Sequence, residues 1–221
     1  FGCCTANLSQ GWPKFAAHLW MRTPSNGIAA TAYAPSRLDT EIAGVPVSVE
    51  LQTDYPFRQD MQFTVRVGRP IHFPLLLRIP AWTQGATITI DARTDRIQNS
   101  GAFHTVARRW QGQTTLHLSL PMAARIVPRP NGAVAIARGP LVYALGIGEE
   151  WRRVNQDKPC RELPHADWEV VPTTPWNYAL ELDVRNPTGA VRFAEHEVGF
   201  PVFAPTAAPV TAAVTGRCVP S

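Results

Sequence analysis

Proline and glycine interrupt this sequence at short intervals, and their spacing constrains the fold more than any other feature. The 221 residues include 21 prolines and 15 glycines. Proline removes a backbone donor and glycine weakens a helix interior, so this spacing disfavours long helices and favours short strands joined by turns. Because 45% of the residues are hydrophobic, such strands can bury a core. The sequence therefore predicts a mainly β fold.

Alternating apolar and polar residues mark a first group of strands. The seven runs are IAATAYA, VPVSVELQT, MQFTVRV, IHFPLLLRIP, ATITIDA, AFHTVARRW and TTLHLSL. A period of two places every second side chain on one face, and seven short strands within about 100 residues are typical of a β-sandwich. We predict a β-sandwich of jelly-roll type over residues 24–148.

A second group of strand candidates follows the proline-rich segment PMAARIVPRPNG. It comprises AVAIA, PLVYALGI, WEVVP, NYALELDV, AVRFAE and APVTAAVT. These strands could complete the first sandwich or begin another. The polar, irregular segment from Gly148 to Ala166 favours a domain boundary there, so residues 149–221 are predicted to form a second, incomplete β-sandwich.

Residues 1–23 differ from the rest because their apolar residues have a helical period. The residues of this apolar face are Leu8, Trp12, Phe15, Ala16 and Leu19. Thr5 or Asn7 could cap the helix. Pro13 either kinks it or lies in the first turn of a helix that starts near Trp12, where a missing N–H costs little.

Charge and hydropathy limit the partners of the chain. The formal net charge of +4 comes mainly from dispersed arginines, which form no basic stripe, so no nucleic-acid partner is predicted. No apolar run reaches about 18 residues, so no membrane partner is predicted either. The sequence begins without Met, and we expect it to be the C-terminal fragment of a longer protein. Any signal peptide would lie in the missing N-terminal part, so no compartment is predicted.

Two adjacent cysteines, Cys3 and Cys4, are the main candidates for chemistry. They could be small buried residues at the start of a helix. Alternatively, a position just before a helix N-terminus would favour the thiolate, which attacks electrophiles and binds metals. A disulfide between neighbours strains the intervening peptide, so we do not expect one. Whether Cys160 and Cys218 pair is left open.

Three segments resemble a known family. They are CCTAN with QGWPKF from Cys3 to Phe15, LLLRIPAW from Leu75 to Trp82, and ARGPLVYAL from Ala137 to Leu145. Together they are similar to the C-terminal part of the β-L-arabinofuranosidases, glycoside hydrolase family 127 and its relatives. The resemblance implies an (α/α)6 catalytic barrel followed by β-sandwich domains. Residues 1–23 would then contain the last barrel helix.

The resemblance also implies roles for the cysteines. Cys3 matches the nucleophile that attacks the anomeric carbon of a carbohydrate substrate, and Cys4 matches a zinc ligand, with Cys3 also on the Zn2+. The general acid, a Glu, and the remaining Glu and Cys ligands would lie upstream, outside this chain. The fragment alone is therefore expected to be inactive. None of its own nine glutamates is assigned as the acid: Glu41, Glu50, Glu149, Glu150, Glu162, Glu169, Glu181, Glu195 and Glu197.

The other aromatic and histidine candidates are expected to be structural. Trp12 could line a sugar subsite, but it shares an apolar stripe with Phe15 and is predicted to be core. Trp82 and Trp110 are expected to pack in the sandwich, and His18 to be a satisfied histidine and no ligand. Two alternatives to an enzyme fragment stay open: a non-catalytic carbohydrate-binding module and a purely structural β-sandwich.

Overall fold

The computed structural model describes residues 2–183, 185–202 and 207–219. Strands dominate these residues, which confirms the predicted mainly β fold. None of the helices in the described ranges is both long and apolar enough to cross a membrane. The chain divides into two compact units, each assembled from three segments. The first contains Phe1–Ala123, Arg138–Leu141 and Glu197–Pro209, and the second contains Ala124–Ala137, Val142–His196 and Val210–Ser221.

The first unit begins with two short helices, α1 (Gly2–Leu8) and α2 (Gly11–Ala17). Its strands are β1 (Trp20–Arg22), β2 (Ile28–Ala30), β3 (Ser36–Ile42), β4 (Val45–Thr53), β5 (Asp60–Val67), β6 (Ile71–Ile79), β7 (Thr87–Ile90), β8 (Arg93–Arg96), β9 (Ala102–Trp110) and β10 (Gln113–Ser119). One sheet has the order β1-β2-β6-β9 and the other β3-β4-β5-β10-β7-β8. Neighbours are antiparallel except β2 and β6, which are parallel.

The two sheets share one apolar core. In β4 every second side chain from Val45 to Leu51 is buried, and in β6 every second side chain from Phe73 to Ile79 is buried. Register keeps buried residues opposite each other, as in the pairing of Val49 with Val65. Side chains of both sheets belong to a single buried cluster, so the first unit is a β-sandwich.

Trp110 is the largest fully buried side chain of this core. Only 1% of it is exposed, and its indole stacks on Phe73 with ring centroids 5.3 Å apart. The indole N–H donates to the backbone carbonyl of Phe73 at 2.9 Å. Trp82 is partly buried against the same cluster. The prediction that Trp82 and Trp110 pack in the sandwich is confirmed.

Gly27 allows the backbone to approach β6 closely. A Cβ atom at this position would lie 2.5 Å from the carbonyl oxygen of Pro74. The Gly27 N–H also donates to the Thr23 hydroxyl at 2.9 Å, which fixes the turn into β2. Because the conflict would be with backbone, rotation of a side chain could not relieve it.

The strands from residue 124 onward form smaller sheets. They are β11 (Ala124–Pro128), β12 (Val134–Arg138), β13 (Leu141–Tyr143), β14 (Glu149–Val154), β15 (Asp167–Pro172), β16 (Tyr178–Leu180), β17 (Val191–Glu195), β18 (Val210–Val214) and β19 (Gly216–Cys218). A helical turn at Pro130–Gly132 and helix α3 (Pro187–Ala190) lie between them. The sheets are β11-β12-β13, β14-β15, β16-β19 and β17-β18.

This region departs from the sequence pattern in two respects. The segment predicted to be irregular contains β14, which pairs with β15 along its whole length. The change from the first to the second compact unit falls near residue 124, whereas the pattern suggested residue 148. Both strands of the hairpin are largely exposed, so no alternation of apolar residues marks β14. The second sandwich over 149–221 stays a prediction.

We predict that Gly27→Ala destabilises the first unit by about 2 kcal/mol because the added methyl meets the Pro74 carbonyl. Urea unfolding followed by circular dichroism measures this change. Gly11→Ala is the matched control, because a Cβ at Gly11 meets no atom within 4 Å. Equal midpoints for the two variants would contradict the close approach.

Trp110→Ala is expected to lower the free energy of unfolding by about 4 kcal/mol, since it removes a buried ring and leaves a cavity. Phe103→Ala should lower the free energy of unfolding by less than about 1 kcal/mol, because the Phe103 side chain is 45% exposed. Thermal unfolding of the two variants tests the assignment of Trp110 to the core. Similar losses for both would show that the core does not depend on this ring.

Candidate functional site

Cys3 and Cys4 lie inside helix α1, in its first turn. The predicted helix was expected to start after them, so this expectation is wrong. The apolar period that predicted the helix begins only at Leu8, and the structure divides the segment into two helices of seven residues each. Pro13 is the third residue of α2, which agrees with the alternative that placed it in a first turn.

The two thiols are close but not bonded. Their Sγ atoms are 3.8 Å apart, and both side chains are exposed and free. The expectation that these neighbours form no disulfide is therefore confirmed. The alternative that both are buried residues is wrong for this chain, because both side chains are exposed. Cys160 and Cys218 are also free and exposed, so they do not pair with each other.

Side-chain hydrogen bonds support the backbone at Cys3. The Asn7 amide donates from Nδ2 to the Cys3 carbonyl at 2.7 Å, and Gln10 Nε2 donates to Asn7 Oδ1 at 3.1 Å. Asn7 therefore does not cap a following helix as predicted. Its side chain contacts Cys3 within α1 and Gln10, the residue before α2.

The thiol pair can supply part of a zinc site. Two thiolates on a tetrahedral zinc, each about 2.3 Å from the metal, lie about 3.8 Å apart, which equals the observed Sγ separation. Among the residues that the structure describes, no group of three or more Cys, His, Asp or Glu side chains could hold a metal. The described residues thus offer two donors at a compatible separation and no third donor beside them.

Helix α2 presents its aromatic residues to solvent. Trp12 is 77% exposed and Phe15 is 43% exposed, and their rings meet edge to face at 6.2 Å. The prediction that both are core residues is wrong for this chain, because nothing in the described part of it covers the apolar face of the helix. His18 lies at the end of α2 with Nδ1 2.6 Å from the Lys14 carbonyl, as expected for a satisfied surface histidine.

Hydrogen bonds join the end of α2 to the sandwich. The Thr31 N–H donates to the Leu19 carbonyl at 2.9 Å, and the Thr31 hydroxyl donates to the His18 carbonyl. Leu19 is buried, and the Trp20 indole N–H donates to the Ser36 hydroxyl at 3.1 Å. These contacts anchor the segment that carries the thiols on β2 and β3.

Two glutamates, Glu50 of the first unit and Glu150 of the second, are engaged in surface contacts. Hydrogen bonds from Gln52 and Arg66 lower the pKa of Glu50, and a hydrogen bond from Arg152 lowers the pKa of Glu150. A general acid needs a raised pKa to stay protonated near neutral pH. Neither residue has the environment of such an acid.

Two features of the second unit were not predicted from the sequence. A cleft of about 600 Å³ is lined mostly by apolar side chains, among them Trp176 and Tyr178. On the β14-β15 hairpin, Trp151 and Trp168 are both exposed, with ring centroids 6.2 Å apart. The sequence did contain both tryptophans, with Trp151 in the segment interpreted as irregular and Trp168 in the strand candidate WEVVP, but no pattern that brought them together.

The fold of this chain is shared with proteins of known structure. Its structure is similar to three solved glycoside hydrolases, each with a TM-score above 0.5. Residues 27–122 match the family model described as the middle domain of GH127 β-L-arabinofuranosidases. This match confirms the resemblance inferred from the sequence.

The solved structures are more distant in sequence. A GH127 β-L-arabinofuranosidase from Geobacillus stearothermophilus T6 is 22% identical with a TM-score of 0.58, over 77% of this chain and 34% of that one. A protein described as a glycoside hydrolase is 23% identical with a TM-score of 0.57, over 63% and 24%. A GH127 β-arabinofuranosidase is 19% identical with a TM-score of 0.57, over 83% and 34%.

This chain therefore spans about a third or less of each similar structure. No match was found among curated proteins. The (α/α)6 barrel implied by the resemblance is not observed here: the described helices are the two short N-terminal ones and the single turn of α3.

All four thiols of the native chain are expected to react with a chromogenic disulfide reagent, because each cysteine is exposed. Their rates should lie within about tenfold of those in guanidinium chloride, as burial is the main barrier to reaction. The measurement is the stoichiometry and rate of thiol release under both conditions. A native count below four would contradict the exposed positions.

Proposed function

We propose that this chain is the C-terminal part of a retaining glycoside hydrolase that cleaves β-L-arabinofuranosides or related glycans. The observation that carries the proposal is the position of two free, exposed thiols just before a domain of the GH127 family. Similarity to solved glycosidases supports the class of reaction, and the substrate follows from the family's name.

In this proposal Cys3 is the nucleophile. Its thiolate attacks the anomeric carbon, a C–S bond forms, and the glycosidic C–O bond breaks. The leaving oxygen takes a proton from a general acid outside this chain. Water then attacks the anomeric carbon and gives its proton to the deprotonated general acid, the C–S bond breaks, and the thiolate is regenerated with net retention. The exposure of Cys3 leaves its Sγ accessible to a substrate.

Cys4 would act beside it as a metal ligand. The pair would hold Zn2+ together with two ligands from outside this chain, and the bound metal would keep a thiol deprotonated near neutral pH. The hydrogen bond from Asn7 to the Cys3 carbonyl would hold the first turn of α1 in place. With neither the acid nor the other ligands in this chain, the isolated fragment should not hydrolyse glycosides.

The test uses the full-length protein with an aryl β-L-arabinofuranoside. Cys3→Ser is expected to lower kcat/KM by about 10³-fold or more, because a hydroxyl is a much weaker nucleophile than a thiolate. Cys4→Ser should lower both the zinc content and the activity. Cys160→Ser is the matched control, since Cys160 is also a free, exposed thiol.

Two results would overturn the proposal. If Cys3→Ser retained activity within a few-fold of wild type, the thiol would not be the nucleophile. If the full-length protein and both variants contained no zinc while turnover continued, the metal would have no part in it. Mass spectrometry after reaction with a slow substrate should detect a sugar on the peptide that contains Cys3.

A further inference from the structure

The β14-β15 hairpin presents two tryptophans on one face. The register pairs Trp151 with Val170 and Arg153 with Trp168, so both indoles lie on the same side of the two-stranded sheet. Trp151 is 58% exposed and Trp168 is 44% exposed. Two such side chains side by side form an exposed apolar patch of the kind that often marks a binding surface.

Contacts within the hairpin hold these rings in fixed positions. The planes are inclined at 73° with centroids 6.2 Å apart, an edge-to-face geometry that leaves ring faces open to solvent. The Trp151 indole N–H donates to Glu149 at 2.9 Å, so its polar atom is already satisfied. Little side-chain entropy would be lost when a flat ligand stacked on such rings.

The connecting loop is also fixed. Arg161 donates to Asp167 at 2.6 Å, and Asn155 donates to the same carboxylate oxygen at 3.0 Å. These hydrogen bonds, with that from Arg161 first, lower the pKa of Asp167. Arg153 donates to the Arg161 carbonyl at 2.8 Å. The loop is thus tied back to the end of the hairpin from which it starts.

The charged side chains of the β14-β15 hairpin limit the class of ligand that its tryptophans could bind. The register places Glu149 and Arg153 on the same face as the two tryptophans, whereas the other charged side chains of the strands lie on the opposite face: Glu150, Arg152, Asp167 and Glu169. The face with the tryptophans therefore carries one acidic and one basic side chain and no net charge, so it does not attract a polyanion or a polycation. A carboxylate and a guanidinium group beside exposed rings suit a neutral ligand that has hydroxyl groups to hydrogen-bond and C–H faces to stack. A saccharide has both.

We propose that the hairpin is a non-catalytic binding site for neutral glycans, with Trp151 and Trp168 as its stacking surface. The choice of a glycan over other hydroxylated ligands rests on the proposed function of the parent enzyme. The site would hold a polysaccharide chain near the catalytic domain and raise its local concentration. No bond is made or broken in this step.

The experiment uses the 221-residue chain in native gels that contain soluble arabinan. The wild-type chain should be retarded relative to a gel without glycan. Trp151→Ala and Trp168→Ala should each weaken binding by about tenfold, as expected for loss of one stacked ring. Trp151→Phe keeps a flat ring and should retain most of the binding.

Trp176→Ala is the matched control, because Trp176 is 62% exposed in the same unit but lies outside the hairpin. Circular dichroism would establish that each variant is folded. Absence of retardation for the wild-type chain would overturn the inference, as would equal losses for all three tryptophans. Dimerisation that Trp151→Ala abolishes, without glycan binding, would assign the face to contact between copies and also overturn it.

This test is independent of catalysis. If the full-length protein cleaves arabinofuranosides through Cys3 but the chain binds no arabinan, only the hairpin inference fails. If the chain binds arabinan through Trp151 while Cys3→Ser leaves hydrolysis unchanged, the proposed mechanism fails and the binding site stands.

Discussion

Burial of the inward side chains of β6 is the interaction on which the sandwich depends. This strand lies between β2 and β9, and four of its side chains from Phe73 to Ile79 are removed from water. Its Phe73 supplies both the ring and the carbonyl that hold Trp110. At roughly 25 cal/mol per Å² of apolar surface, burial on this scale outweighs any single ion pair on the exposed surface.

The strands of the first unit were predicted well from the sequence wherever one face of a strand is buried and the other is exposed to solvent. Strands β4 and β9 have the bounds read from VPVSVELQT and AFHTVARRW. Burial alternates strictly from Val45 to Leu51 in β4, whereas in β9 only Val106 and Trp110 are buried. Strand β3 was missed, since its inward positions are only partly covered and five of its seven residues are polar or charged. Strand β14 was missed because neither of its faces is apolar.

The candidate site was predicted less completely, for a physical reason. Adjacency in sequence brings Cys3 and Cys4 together, but the partners that a tetrahedral metal needs come from tertiary contacts that local spacing does not encode. The aromatic residues of α2 illustrate the same limit. Their helical period predicts an apolar face, and whether that face is covered depends on what packs against it. In the described part of this chain, Trp12 is left in solvent.

The parallel pairing of β2 with β6 determines how firmly the thiols are held. The residues it joins, such as Ile28 and Leu75, are far apart in the chain, so this contact closes a long loop. Strand β1 is the edge of the sheet beyond β2, and the helices precede β1. A sub-global opening that detached β1 and β2 would release α1 and α2 while most of the core stayed folded. The end of the chain that carries the two thiols thus has its own stability, below that of the sandwich to which it is attached.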